Sequence, residues 1–588
     1  MKTFDSARRD LLRLSSMGLA ASAVSAIPAL AAPKKAAPAA LSPIFFDVRT
    51  YGATGDGKTV DSPAINKAIE AAAAAGGGTV IFPAGTYMCF SIRLKSKVNL
   101  FLAQGCTIEA AESPKPGETT GYMGGTYDAA EPNTQFEKGQ DYGHNHWHNS
   151  LIWGEGISDI SITGPGLIFG KGLSFGAGPG RPAGAQQRGF GPERPAAPAV
   201  APAQPGGAPP AGGAQRLGNG RPARGNYTMY QAEQPGVGNK AIALKNCRNV
   251  TLSDFSLLKG GHFGLLLTGV DNLTIDNLKI DTDRDGMDID CCQNVRVSNC
   301  TVNSPWDDGI CPKSSFGLGY NRPTRNVNIT NCFVTGAYRL GTVLDGTWKK
   351  FTMEEDHKVG GTGRIKCGTE SNGGFINIAI SNCVFEGCQG LALETVDGAL
   401  LEDITISNIT MRDIISCPIF LRLGSRLRAA NGAGDKNIPV GTLRRVLISN
   451  ITSYNTAGRF GSNITGIPGH AVEDLKISDI YVETAGGGTA DQAKIEVPEK
   501  EDAYPEPGML GTLPTYGFYF RHVNRLEMSH VEVQPKTPDA RPAIYTDEVH
   551  RADFAFITAP SSPAAFSFNK STDIRVLMSR AAPDQTIA

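Results

Sequence analysis

The chain has 588 residues, 40% apolar, 19% charged and 7% aromatic, which is enough apolar content for a large core. Its formal net charge is −1, so bulk electrostatics makes no case for nucleic acid or a membrane surface as partner. Beyond the N-terminal region no stretch reaches the ~18 consecutive apolar residues that cross a bilayer.

Residues 1–32 read as an export signal rather than as part of the fold. Arg8-Arg9 precede Asp10-Leu11-Leu12-Arg13, and a moderately apolar stretch runs from Leu14 to Leu30. This resembles a twin-arginine signal and predicts a periplasmic or secreted protein. Residues 33–43 read as a linker, and residues 44–575 as one catalytic domain. A helix is predicted over 62–75, with Asp61 or Ser62 as N-cap and Gly76-Gly77-Gly78 as its stop. Placed before a stack of strands, it would cap the open end. Further on, His144, His146 and His148 would share one face of a strand, with no acidic or Cys partner evident nearby. A cleft or turn role suits them better than a metal. Residues 176–225 are dominated by Gly, Pro and Ala with six Arg and one Glu, and predict a disordered, basic insert.

The body of the chain repeats. NVTLSDFSLL begins at Asn249, NLTIDNLKI at Asn272, NVRVSNCTV at Asn294, NVNITNCFV at Asn326 and NIAISNCVF at Asn377. Related segments begin at Asp159, Asp403, Arg445, Asp474 and Arg525. Each alternates apolar and polar residues, the period of a half-buried strand. A spacing near 22 is too short for a propeller blade of ~40–45 residues, and it favours a propeller or β-sandwich less than stacked coils. The predicted class is all-β: a single right-handed parallel β-helix with an N-terminal capping helix. The recurring Asn suggests an internal amide ladder. Cys247, Cys300, Cys332 and Cys383 share one slot of the repeat, and so read as stacked small hydrophobes rather than disulfide partners. The neighbours Cys291 and Cys292 are not expected to bridge each other.

Three acids carry the chemistry. Asp307 follows Asp285 by 22 residues, one repeat, so Asp285 and the pair Asp307-Asp308 fall at equivalent corners of neighbouring coils. Inverting glycosidases need a protonated acid and a base about 6.5–9.5 Å apart. Crowded carboxylates push their pKa values apart, which keeps one protonated near neutrality. Trp306 and Lys313 flank the pair. Asp288 and Asp290 read as strand-end residues bonding turn amides. His262 reads as packing at a coil edge, and Arg422, Arg426 and Arg428 as distal-cleft or solvated cations.

The stretch from Asp47 to about Asn455 resembles the polygalacturonases of glycoside hydrolase family 28. Arg284-Asp285-Gly286-Met287-Asp288 stands for the family's Asn-x-Asp-Gly-Ile-Asp. Trp306-Asp307-Asp308-Gly309-Ile310-Cys311-Pro312-Lys313 stands for Gly-Asp-Asp-Cys-Ile-Ala-Ile-Lys. The resemblance implies Asp307 as general acid, with Asp285 and Asp308 activating water. The family's Gly-His-Gly is not found. Gly368-Thr369-Glu370-Ser371-Asn372-Gly373-Gly374-Phe375 fits the segment that follows it, which puts the His slot near Gly363-Arg364. An Arg-Ile-Lys copy stands at Arg364-Ile365-Lys366, yet coil context moves that motif to Leu391–Thr395, where Glu394 replaces the Lys. One of Arg364 and Lys366 is expected to face the cleft and the other to lie inward or in a surface pair. Lys313, Arg364, Lys366, Glu370, Glu394 and Trp306 are the candidate substrate-binding residues. Glu394 facing the cleft would repel a uronate.

The resulting expectation is a monomeric, exported, inverting hydrolase of a pectin-like or other uronate-containing polysaccharide, needing no cofactor or metal. Insertions at 336–374 and 424–440 favour exo action. The rivals are a lyase or uronate epimerase, which could place calcium on Asp307-Asp308, and a non-catalytic carbohydrate binder.

Overall fold

A computed structural model describes residues 44–132, 142–174, 234–340, 342–350, 361–457, 460–561 and 564–588. The expected signal, linker and basic insert lie outside the described residues. Pro43–Ala588 forms one compact unit.

The repeat in the sequence is the repeat in space. One coil consists of the strands Phe263–Thr268, Asp271–Asp276 and Lys279–Asp281, and the next of Asp285–Asp290, Gln293–Ser298 and Thr301–Asn303. The two pair in parallel through Phe263↔Asp285, Asp271↔Gln293 and Lys279↔Thr301. A shift of 22 residues therefore moves the chain up one rung. Alternation does the rest: Leu265, Met287 and Ile310 stack inward along one side, Leu273, Val295 and Val327 along another, and Ile280, Val302 and Val334 along the third. All are buried in one continuous core. Each such side chain is stabilised by roughly 1.5–3 kcal/mol on leaving water, a term that only neighbouring coils can supply.

The helix spans Ser62–Ala74, with Pro63 in its first turn. It buries Ile65, Ala68, Ile69 and Ala72 in the core. Asp61 stands at the N-cap position but does not cap. Its carboxylate instead accepts the amides of Thr54 (2.7 Å) and Gly55 (3.0 Å), tying down the preceding loop.

The Asn ladder exists but is not internal. Asn272 donates to Asn249 (3.0 Å), Asn326 to Asn294 (2.9 Å) and Asn377 to Asn326 (2.9 Å), all at exposed positions. These residues have φ between 54° and 58° for Asn272, Asn326 and Asn377, the left-handed region that Asn tolerates better than other side chains. A left-handed residue near the start of each of these strands favours Asn, and its amide lies at an exposed position.

All twelve cysteines are buried free thiols. Those of the repeated slot donate to the carbonyl two residues back, as in Cys300 to Ser298 (3.1 Å) and Cys332 to Thr330 (3.2 Å). Burial pushes the Cys247 thiol up to about 11, so it is not a nucleophile near neutrality.

Candidate functional site

The strands Ile92–Arg93, Ile152–Glu155, Lys240–Lys245, Phe263–Thr268, Asp285–Asp290 and Ile310–Lys313 form one parallel sheet. Asp285 opens the fifth strand. Asp307 and Asp308 lie in the turn leading to the sixth. The Gly286 amide donates to the Asp308 carbonyl (3.0 Å) and the Met287 amide to the Gly309 carbonyl (3.0 Å), which fixes the two corners side by side. One carboxylate oxygen from each of Asp285, Asp307 and Asp308 lies within 4.8 Å of the others. The 22-residue spacing therefore brings the acids together, at closer range than the separation expected for an acid and a base.

Gly286 makes this approach possible. A methyl group on its Cα would collide with the Gly309 carbonyl oxygen and lie 2.5 Å from Val302 Cγ1. Gly286→Ala is therefore expected to cost about 1–3 kcal/mol in a denaturant titration and to lower activity by displacing Asp285. Unchanged values for both would show that the corner can give.

The three acids have different surroundings. Asp285 and Asp308 are each 2% exposed, whereas the Asp307 side chain keeps 27% of its surface. Burial, followed by the Asp307 and Asp288 carboxylates, pushes the Asp285 carboxyl well above the usual range. Burial also opposes ionisation of Asp308, but Lys366, Arg364 and Lys313 overcome it and hold this carboxyl below the usual range. Arg364 Nε lies 2.8 Å from Asp308 Oδ1 and Lys366 Nζ 3.0 Å from Oδ2. Asp307 accepts from Arg284 Nη2 (3.0 Å), and Arg284 Nη1 lies 3.2 Å from His262 Nδ1.

The Arg364-Ile365-Lys366 copy lies one coil beyond the acid pair, as the bridge Ile310↔Ile365 shows, and Lys366↔Ala392 puts Glu394 one coil further. Arg364 thus occupies the coil expected to carry the missing His. The expectation that its two cations would point opposite ways is corrected. Residues two apart on a strand share a face, so Ile365 enters the core while Arg364 and Lys366 both turn to Asp308. Lys313 lies 3.2 Å from Glu370 Oε2 and 3.9 Å from Asp288 Oδ2. Glu394 is fully buried, 4.0 Å from Lys366 Nζ, with neither oxygen hydrogen-bonded. Trp306 is half-buried, its backbone amide held by the Asp283 carbonyl (3.1 Å).

Burial pushes Glu394 up to about 7, against the pull of Lys366 and Arg364. Its unfolded value is near 4.3. A group raised in the folded state contributes stability that is complete below the unfolded value and lost as pH rises through the folded one. The melting temperature is expected to fall between about pH 4.3 and 7 through this group, and Glu394→Gln to flatten that part of the profile. An identical slope in the variant would remove Glu394 from the account.

Of the two strand-end readings, that of Asp288 needs correction. Asp290 does bond a turn, accepting from the Ser315 amide (2.8 Å) and hydroxyl (2.5 Å). Asp288 instead sits between Lys313 and His144, whose Nε2 is 3.1 Å from Asp288 Oδ2. The His run is not a strand. His144 lies in the short helix Tyr142–Asn145, while His148 stacks on Trp153 and pairs with Glu155 at 2.8 Å. Acidic partners are therefore present, on separate sides. Among the described residues, metal-type ligands converge at the aspartate triad. A cation there would meet Arg364 and Lys366 on Asp308 and Arg284 on Asp307.

Sequence reasoning missed three groups. His262 backs Arg284, and the relay His262, Arg284, Asp307 steps by 22 and 23 residues, so the repeat itself held that signal. Tyr504 and Glu506 come from the long connection between the strands Val472–Gly486 and Phe518–Thr537. Glu506 Oε1 is 2.9 Å from Arg364 Nη2, and Tyr504 Oη is 3.0 Å from Thr369 Oγ1. Arg422 is spent on Thr465 Oγ1 and the carbonyls of Gly466, Glu499 and Lys500. Arg426 forks onto Asp397.

Residues 45–121 match the family model described as rhamnogalacturonase A/epimerase, pectate lyase-like. A probable polygalacturonase of Vitis vinifera is 22% identical over 344 residues, covering 55% of this chain and 57% of the relative. Mannuronan C5-epimerase AlgE1 of Azotobacter vinelandii is 58% identical over 45 residues, 8% of this chain and 3% of that protein. The chain thus spans little over half of the plant relative and a small fraction of the bacterial one. The family 28 exopolygalacturonase of Yersinia enterocolitica superposes with a TM-score of 0.52 at 17% identity, covering 90% of this chain and 78% of that one. The chain resembles the plant polygalacturonase at low identity over about half its length and shares the parallel β-helix fold of the Yersinia enterocolitica structure.

Proposed function

We propose that this protein is an exported glycoside hydrolase, acting as a monomer from the chain end on a pectin-like or other uronate-containing polysaccharide and inverting the anomeric carbon. The observation that carries the proposal is the convergence of three carboxyl groups, from two adjacent coils, within 4.8 Å. Asp307, the most exposed of them, is the proton donor to the glycosidic oxygen. Asp308, held ionised by Arg364 and Lys366, is the base. Asp285 holds the proton of the resting triad and passes it to Asp307, within 4.8 Å, as Asp307 protonates the leaving oxygen; Asp308 takes the proton of the attacking water, which afterwards restores Asp285. A single water bonded to Asp285 and Asp308 at ~2.8 Å each spans a gap of up to ~5 Å, so an attacking water can bridge these two acids. Trp306 and Tyr504 are proposed sugar contacts, and the Ser62–Ala74 helix a cap on the coil stack. Export rests on the sequence of residues 1–32. Among the described residues no helix is long and apolar enough to cross a membrane.

The direct test is a panel of plant and bacterial polysaccharides, followed by reducing-end release and the anomeric configuration of the first product. New reducing ends with inverted configuration support the proposal, and retained configuration removes the one-step mechanism. The triad also permits a second reading, a calcium-dependent lyase or epimerase. Loss of activity with chelator, together with an ultraviolet-absorbing unsaturated product, would establish a lyase. Chelator-sensitive exchange of a sugar proton with solvent, without chain cleavage, would establish an epimerase.

A further inference from the structure

The cations around the triad are already occupied by carboxylates of the protein. Arg284 carries Asp307 at 3.0 Å, and Lys313 carries Glu370 at 3.2 Å. Arg364 bridges Asp308 and Glu506 at 2.8 and 2.9 Å. Lys366 carries Asp308 at 3.0 Å with Glu394 at 4.0 Å. The side chains of Lys313, Arg364 and Lys366 keep only 6%, 1% and 4% of their surface, so a ligand meets no open face of any of these three. Together with Asp285 and Asp288, these four bases stand against more carboxyl groups than they can neutralise.

From this arrangement we infer that the cleavage subsite takes a sugar with no charge at C6, either a neutral hexose or an esterified uronate, within the polysaccharide. The inference rests on the triad being the hydrolytic site. A free uronate would need an Arg or Lys with spare donors to bind it. Here it would have to displace Glu506 from Arg364 and enter beside Glu394, whose oxygens are buried without a hydrogen bond. Like charges brought together in a desolvated site discriminate strongly against the wrong ligand.

The test is calorimetric titration of the full-length protein with three oligomers of equal length and linkage: oligogalacturonate, its methyl ester and its carboxyl-reduced counterpart. The ester and the reduced oligomer are expected to bind at least about tenfold more tightly than the free acid. Glu506→Gln and Glu506→Ala are expected to raise acid binding by about the same factor with ester binding retained, which also reports an intact fold. Wild-type protein that binds the acid as well as the ester, or variants that leave the ratio unmoved, would overturn the inference. Failure of all three oligomers to bind would overturn it too. If the neutral oligomers bind preferentially yet no polysaccharide is cleaved, the proposed hydrolase function fails and the subsite preference stands.

Discussion

Asp307→Asn is expected to lower kcat by about 10²- to 10⁴-fold, the range over which a positioned acid contributes, with little change in KM or in melting temperature. The amide fills the same space and can still meet Arg284, but it cannot deliver a proton. Because Asp307 is the exposed member of the triad, the substitution buries no new unpaired group. A substrate whose leaving group needs no protonation should recover much of the lost rate. If natural and activated substrates lose rate equally, Asp307 has a role other than acid.

The second large effect concerns stability. Arg364 is buried and holds two acids through different nitrogens, Asp308 through Nε and Glu506 through Nη2. Arg364→Ala leaves the buried Asp308 carboxylate with Lys366 as its remaining ion-pair partner and Lys313 at longer range, and frees Glu506. Removing one partner of a buried ionic group costs about 3–5 kcal/mol, to be read from the denaturant midpoint. Arg364→Lys should fall between the two, since an ammonium cannot reproduce the fork. An alanine variant within 1 kcal/mol of wild type would mean that water or Lys366 compensates Asp308 fully.

The repeat explains which parts of the site were legible. Asp285, Asp307 and Asp308 were found because one rung is 22 residues long and the register carries that number straight into space. The His262–Arg284–Asp307 relay obeys the same spacing and was overlooked because His262 sits before a run of apolar residues that reads as core. Arg364 and Lys366 were found by motif, and strand alternation around Ile365 already required both to share a face. Glu506 and Tyr504 could not be read this way. They reach the site from a connection 142 and 135 residues distant from their partners, outside the periodicity. The Asn ladder was recognised but placed on the wrong side, since the sequence shows recurrence and not the positive φ that turns the amide outward.

In the proposed mechanism the acid and base roles separate through an unequal sharing of cations. Asp308 has two cations within 3.0 Å, and Asp285 is buried beside like charges.

The most direct measurement is mass analysis of products formed in water enriched in heavy oxygen. Hydrolysis places one heavy oxygen at each new reducing end and none in the released non-reducing end, and Asp307→Asn is expected to lose this label. Products carrying no label and an unsaturated ring, or labelled products formed equally by the variant, would contradict it.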